Sequence, residues 1–249
     1  ERIERGWLQR IDIAVNSPVK NLPRKGPPIP DDGLDINIFA SGVTLHPVDG
    51  MPSVRDADLK AHVTGRTATV NIGQGVADTP AGRKINFSDI VFEVPDMAPK
   101  PPPSRLRMRA DGQVAAAAEI LASDRLNDLS ATPIDPNTSK GTFSALINLG
   151  MPVKGELSKA DTNYNVTADL NNFSAEKLVM NQKLEANALK LAANNQGYQV
   201  KGDVKINGQQ ASLDYRKPAD GDADIKMQAT LDDASRVRLG PVSYTHLRA

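Results

Sequence analysis

The chain has 249 residues, 39% of them hydrophobic and 24% charged, with only 4% aromatic. Thirty basic and thirty acidic side chains cancel, which excludes a global field drawing the chain to nucleic acid or anionic lipid. Cysteine is absent, excluding disulfides and thiolate metal centres but leaving the compartment open.

The opening residues ERIERGWLQRIDIAV are charged and then strand-like. They lack the apolar core of a signal peptide and an initiator Met, so the chain is expected to be an internal piece of something longer. No run approaches the roughly 18 apolar residues of a membrane span. Pro27, Pro28 and Pro30, with Asp31-Asp32-Gly33, mark a loop. Alternation follows at Leu34, Ile36 and Ile38 and at Ala68, Val70 and Ile72, the signature of strands with one apolar and one wet face. Ile85 and Phe87 share a parity, whereas Ile90, Phe92 and Val94 have the other; the slip predicts a bulge or tight turn at Ser88-Asp89. Pro99 to Pro103 read as a loop or sheet edge. Arg105, Arg107 and Arg109 then alternate with Leu106 and Met108, so the three guanidiniums share one face.

A helix is predicted at about 112–125, in GQVAAAAEILASDRL, capped by Asp111, with Val114, Ala117, Ala118 and Leu121 on one stripe. ATPIDPNTSKG reads as a loop, and strands resume near Thr142. Apolar alternation returns at Phe143, Ala145, Ile147 and Leu149 and at Tyr164, Val166, Ala168 and Leu170. It continues at Tyr198, Val200, Val204 and Ile206 and at Ile225, Met227, Ala229 and Leu231. Turn signals fall at Thr64-Gly65, Asn195-Gln196-Gly197, Asn207-Gly208 and Asp220-Gly221, and Asn-Gly between alternating runs is a strong hairpin signal. The sum is an antiparallel meander, mainly β, with one short helix. A weak internal echo aligns Ser41–Lys60 with Asn171–Lys190, setting Val43 on Phe173, Val54 on Leu184 and Leu59 on Leu189.

Chemical motifs are few. His46, His62 and His246 lie far apart in no metal-ligand spacing and are expected to be solvated. DGDAD at Asp220–Asp224 lacks the sixth-position glycine and twelfth-position glutamate of a calcium loop, and NIGQG lacks the third glycine and following helix of a dinucleotide site. PKPPP fits a polyproline ligand or, better, a rigid connector. The glycosylation sequons at Asn86, Asn137, Asn165 and Asn172 read as coincidence in an Asn/Ser/Thr-rich β protein. The three arginines suit bidentate contact with lipid phosphates, or else form a solvated face that discourages edge aggregation. No nucleophile and base pair stands out, so no enzyme, cofactor or metal is expected.

The stretches FSDIVFEVPDMAPKPPPSRLRMRADGQVAAAAEIL (Phe87–Leu121) and LNNFSAEKLVMNQKLEANALKLAANNQGYQVKGDVKINGQQASLDYRKP (Leu170–Pro218) resemble the central region of AsmA-like proteins of the YhdP type, from Gram-negative cell envelopes. The likeness covers roughly Asp35 to Gly240 and rests on strands, glycines and the VPD-APKPP phrase. It implies a periplasmic portion of an inner-membrane-anchored protein, its anchor outside this chain. It also implies an elongated, twisted antiparallel sheet whose open groove carries phospholipid between inner and outer membranes. The partners would be acyl chains and the two membranes, reached through other parts of the protein, and not nucleic acid. On that reading residues 1–32 form a leading strand and Pro-rich loop, and residues 33–111 a first groove segment. Residues 112–140 form helix and loop, and residues 141–240 a second groove segment. Pro241–Ala249 resembles one reading frame of a transposon sequencing adapter and is expected to be non-native. The candidate groove lining is Ile85, Phe87, Tyr164, Val166, Leu170, Tyr198, Val200, Val204, Ile206, Leu213 and Met227. The same side chains would form a core if a second sheet closed over them, as in a structural or adhesive β-sandwich of a secreted or envelope protein.

Overall fold

A computed structural model describes residues 3–21, 29–46, 52–123, 134–155, 157–179, 182–206 and 208–229. Asn207, Leu231, His246 and the 241–249 tail lie outside the described residues. Twelve strands form one open antiparallel sheet whose spatial order is the sequence order. They are β1 (Ile3–Val15), β2 (Leu34–Leu45), β3 (Val54–Thr64), β4 (Ala68–Asp78), β5 (Lys84–Val94) and β6 (Pro103–Gln113), then β7 (Lys140–Pro152), β8 (Asn163–Val179), β9 (Gln182–Asn194), β10 (Gly197–Ile206), β11 (Gln209–Pro218) and β12 (Asp224–Ala229). One helix, α1 (Val114–Leu121), follows β6 directly. β6 pairs with β7 across it, so the helix does not divide the sheet.

The helix is shorter than its sequence suggests, and Asp111 does not cap it. Gln113 is the N-cap, with extended backbone and no side-chain hydrogen bond, while Asp111 lies in β6 opposite Asn86 on one side and Ser144 on the other. Ladders on both flanks hold the chain extended through Gly112, and the β7 ladder through Gln113, so the alanine run turns helical only once those ladders end. The Asp89 slip is where alternation placed it: Asp89 takes φ +52°, and the β5–β6 register shifts between Ser88 and Val91. That left-handed residue brings Ile85 and Phe87 to the same face as Ile90. Left-handed residues also occur at Gly42 in β2, Asp56 in β3 and Asn172 in β8. Each re-phases its strand so that one face stays apolar along its length. The Gly42 amide donates to Asp58 Oδ1 of the neighbouring strand at 3.2 Å, which ties this irregularity to β3.

The core lies on that single apolar face. At the end of the sheet where β5 begins and β6 finishes (the helix end), α1 lies over it. Fully buried Ala116 packs in one cluster with Ile85, Ala110, Phe143 and Ala145. Small side chains on both partners let the helix axis sit close to the sheet. Val114 joins a second cluster with Phe173, Ala175, Leu184, Ala186, Leu189, Val204 and Leu213, and a third holds Val43, Ala57, Ile72 and Ile90. One polar clamp fastens the helix. Glu119 accepts from Thr79 Oγ1 at 2.6 Å, from the Ala81 amide at 2.7 Å and from Arg83 at 2.8 Å, all in the β4–β5 turn.

Candidate functional site

Ladder partners on the apolar face line up in rows that cross the strands. At the end opposite the helix, Ile11, Ile38, Ala61, Val70, Phe92, Leu106, Leu149 and Tyr164 each pair with the next, one from each of β1 to β8. Seven inter-strand steps make this row about 34 Å long. No member carries a charge, and the seven after Ile11 are half-buried, with Ile11 45% exposed. Burial pushes the Tyr164 phenol above its ordinary value, as expected at an apolar wall. Among the described residues no second sheet faces this row.

Nearer the helix end a second row runs Ile85, Gly112, Phe143, Leu170, Leu189, Gly202, Leu213 and Met227, from β5 to β12. It gathers four of the candidate lining residues, Ile85, Leu170, Leu213 and Met227. Between the rows, Val166 pairs with Ala193 and Ala193 with Tyr198, while Val200 pairs with Leu191 and Tyr215 and Phe87 with Ala110. The Tyr198 and Tyr215 rings lie 5.7 Å apart. Ile85, Val204 and Leu213 are buried. Phe87, Tyr164, Val166, Leu170, Tyr198, Val200 and Ile206 are half-buried, and Met227 is exposed on β12 at the sheet's edge. Part of this set is thus packed against the helix or its neighbours. The most open row is carried by Phe92, Leu106 and Leu149, which the candidate list omitted although their alternation was readable.

The polar face carries the arginines. Arg109 pairs with Asp89 at 3.3 Å, while Arg105 and Arg107 have no hydrogen-bond or ion-pair partner among the described residues. They line a shallow depression of about 630 Å³ across β5 to β8, together with Glu93, Asn148, Gly150, Asn163 and Asn165. Leu106, Leu149 and Tyr164, whose side chains turn to the other face, also border it. His46 contacts Ser53 Oγ at 3.0 Å, and His62 lies 3.4 Å from Asp35. Among the described residues no group of three or more His, Asp or Glu side chains could hold a metal, and no helix is long and apolar enough to cross a membrane.

No family model matches the chain, and no curated protein or solved structure does either.

Proposed function

We propose that this chain is a lipid-conducting, non-enzymatic segment of an AsmA-like envelope protein, in which phospholipid acyl chains lie on the apolar face and move across the strands. The observation that carries the reading is the uncharged row from Ile11 to Tyr164, half-buried from Ile38 onward and, among the described residues, without a second sheet over it. Apolar surface of that extent needs a cover, and each acyl methylene withdrawn from water onto it is worth roughly 0.8 kcal/mol. The row is aliphatic and aromatic and uncharged, so contacts are many, weak and alike along it. Such a surface holds chains without a deep well and lets them slide. Head groups stay at the rim in water; on this reading the segment works in the periplasm between two membranes, with neither cofactor nor metal.

A closed structural or adhesive sandwich needs a second sheet on this face, and the described strands form one sheet only. The test is a photo-crosslinking amino acid at Leu149, and separately at Val200, in the full-length protein in Gram-negative cells. The expected product is a phospholipid adduct at both positions. Adducts to protein alone overturn the reading.

A further inference from the structure

The depression on the polar face has a composition that the apolar face does not explain. Arg105 and Arg107 stand two residues apart on β6, about 6.8 Å along the strand, both exposed and unpartnered among the described residues. Arg107 is the ladder neighbour of Asn148, and Asn148 of Asn165, so one guanidinium and two side-chain amides sit side by side across three strands. Beside them Arg105 is the neighbour of Gly150, and Gly150 of Asn163. A β-carbon at Gly150 would come no nearer than 3.9 Å to anything, so the absent side chain leaves a gap between Arg105 and Asn163. Two forked cations and three amides, all without side-chain partners among the described residues, make a set of donors around one hollow.

We propose that this hollow binds a single phosphoryl group, with Arg105 and Arg107 bridging its oxygens and Asn148 and Asn165 donating from the far wall. Glu93 sets the charge limit. It is the ladder partner of Arg105 and lines the hollow, so one carboxylate already faces the arginines. A diester or one inorganic phosphate fits that balance, and a polyphosphate is repelled. Arg109 takes no part, because Asp89 holds it. The site stands on the polar face and does not depend on lipid binding to the other. The phosphoryl group has two sources, free phosphate or a lipid head group.

The test is titration of the isotope-labelled protein, followed by NMR at the Arg105 and Arg107 guanidiniums. The probes are inorganic phosphate and monomeric dihexanoyl phosphatidylglycerol. Shifts with both probes, about tenfold weaker binding in Arg107→Gln and tighter binding in Glu93→Gln support the site. Response to the short-chain lipid alone supports it as a head-group site, and response to phosphate alone as a free-anion site. Lys190→Gln, altering an exposed lysine of β9, serves as the control for diffuse charge. Equal weakening by Arg107→Gln and Lys190→Gln overturns the proposal, as does silence of both guanidiniums.

Discussion

Gly42 and Asn172 hold the same left-handed backbone, φ +56° and +50°, and each immediately precedes a buried inward side chain, Val43 at 2% and Phe173 at 3% exposure. These are equivalent positions of the faint echo between Ser41–Lys60 and Asn171–Lys190. What the two stretches share is a device more than a string of residues. Each lets a strand break its alternation once and keep its apolar side chains on the covered face.

That device predicts an ordered set of stabilities. A β-carbon at Gly42 meets nothing within 4 Å, so Gly42→Ala carries only the left-handed backbone penalty, about 1–2 kcal/mol. Gly141→Ala costs more, because its φ is +105° and the new carbon would lie 2.6 Å from the Asn171 carbonyl oxygen. Asn172→Gly is neutral or stabilising, and Asn172→Val destabilises by at least as much as Gly42→Ala. Urea denaturation of the four variants checks the order.

The Glu119 clamp gives the fold an acid-sensitive point. Burial opposes ionisation of its carboxyl, but hydrogen bonds from Thr79, the Ala81 amide and Arg83 outweigh it and hold the group below the usual carboxylate range. The folded pKa is therefore the lower one. The clamp's contribution is complete above the unfolded value, about 4.3, and is lost as pH falls through the folded one. Glu119→Gln should flatten the loss of thermal stability below about pH 4.3. At neutral pH Glu119→Ala should cost about 1–3 kcal/mol, since it leaves partly buried Arg83 without its carboxylate.

Ala116 has 0% exposure, so an added isobutyl group has nowhere to go. Ala116→Leu should destabilise by about 1–3 kcal/mol and lift α1 from Ala110 and Ala145. Faster amide exchange in Val114–Leu121 than in the flanking β6 would report the lifting, and unchanged exchange would show that the seat is looser than these contacts indicate.

Leu149 tests the exposed row without unfolding the sheet. It is half-buried, and a lysine there can run its stem along the wall and keep its ammonium at the rim. Leu149→Lys should retain the wild-type circular dichroism yet lower phospholipid co-purification several-fold. Leu184→Ala, by contrast, empties a site with 1% exposure and should act on stability, by about 2–5 kcal/mol.

Alternation revealed most of the strands, their apolar faces and the Asp89 irregularity, because a pleated ribbon imposes a period of two whatever its neighbours do. Which residues sit side by side across strands was not readable. That depends on the lengths of turns such as Thr79–Arg83 and on each left-handed residue. Tyr164 stands among the lining candidates, while its row partners Phe92, Leu106 and Leu149 do not. The helix start was misplaced for a related reason: Asp111 is a sound capping residue, but two ladders outcompeted it. The three arginines could be seen as a stripe. The gap at Gly150 that turns the stripe into a hollow belongs to the neighbouring strand, and a single-segment reading does not reach it.

The strand order of this sheet is its sequence order from one edge to the other. Every ladder therefore joins consecutive strands, and no pairing waits on a distant part of the chain. Excising one hairpin brings together two strands that already run in opposite directions and leaves the remaining ladders as they were. Length can thus change two strands at a time, by duplication or loss of a short coding stretch, without redesigning what remains. Under tension the same order makes the sheet a zipper, released from an edge one strand at a time.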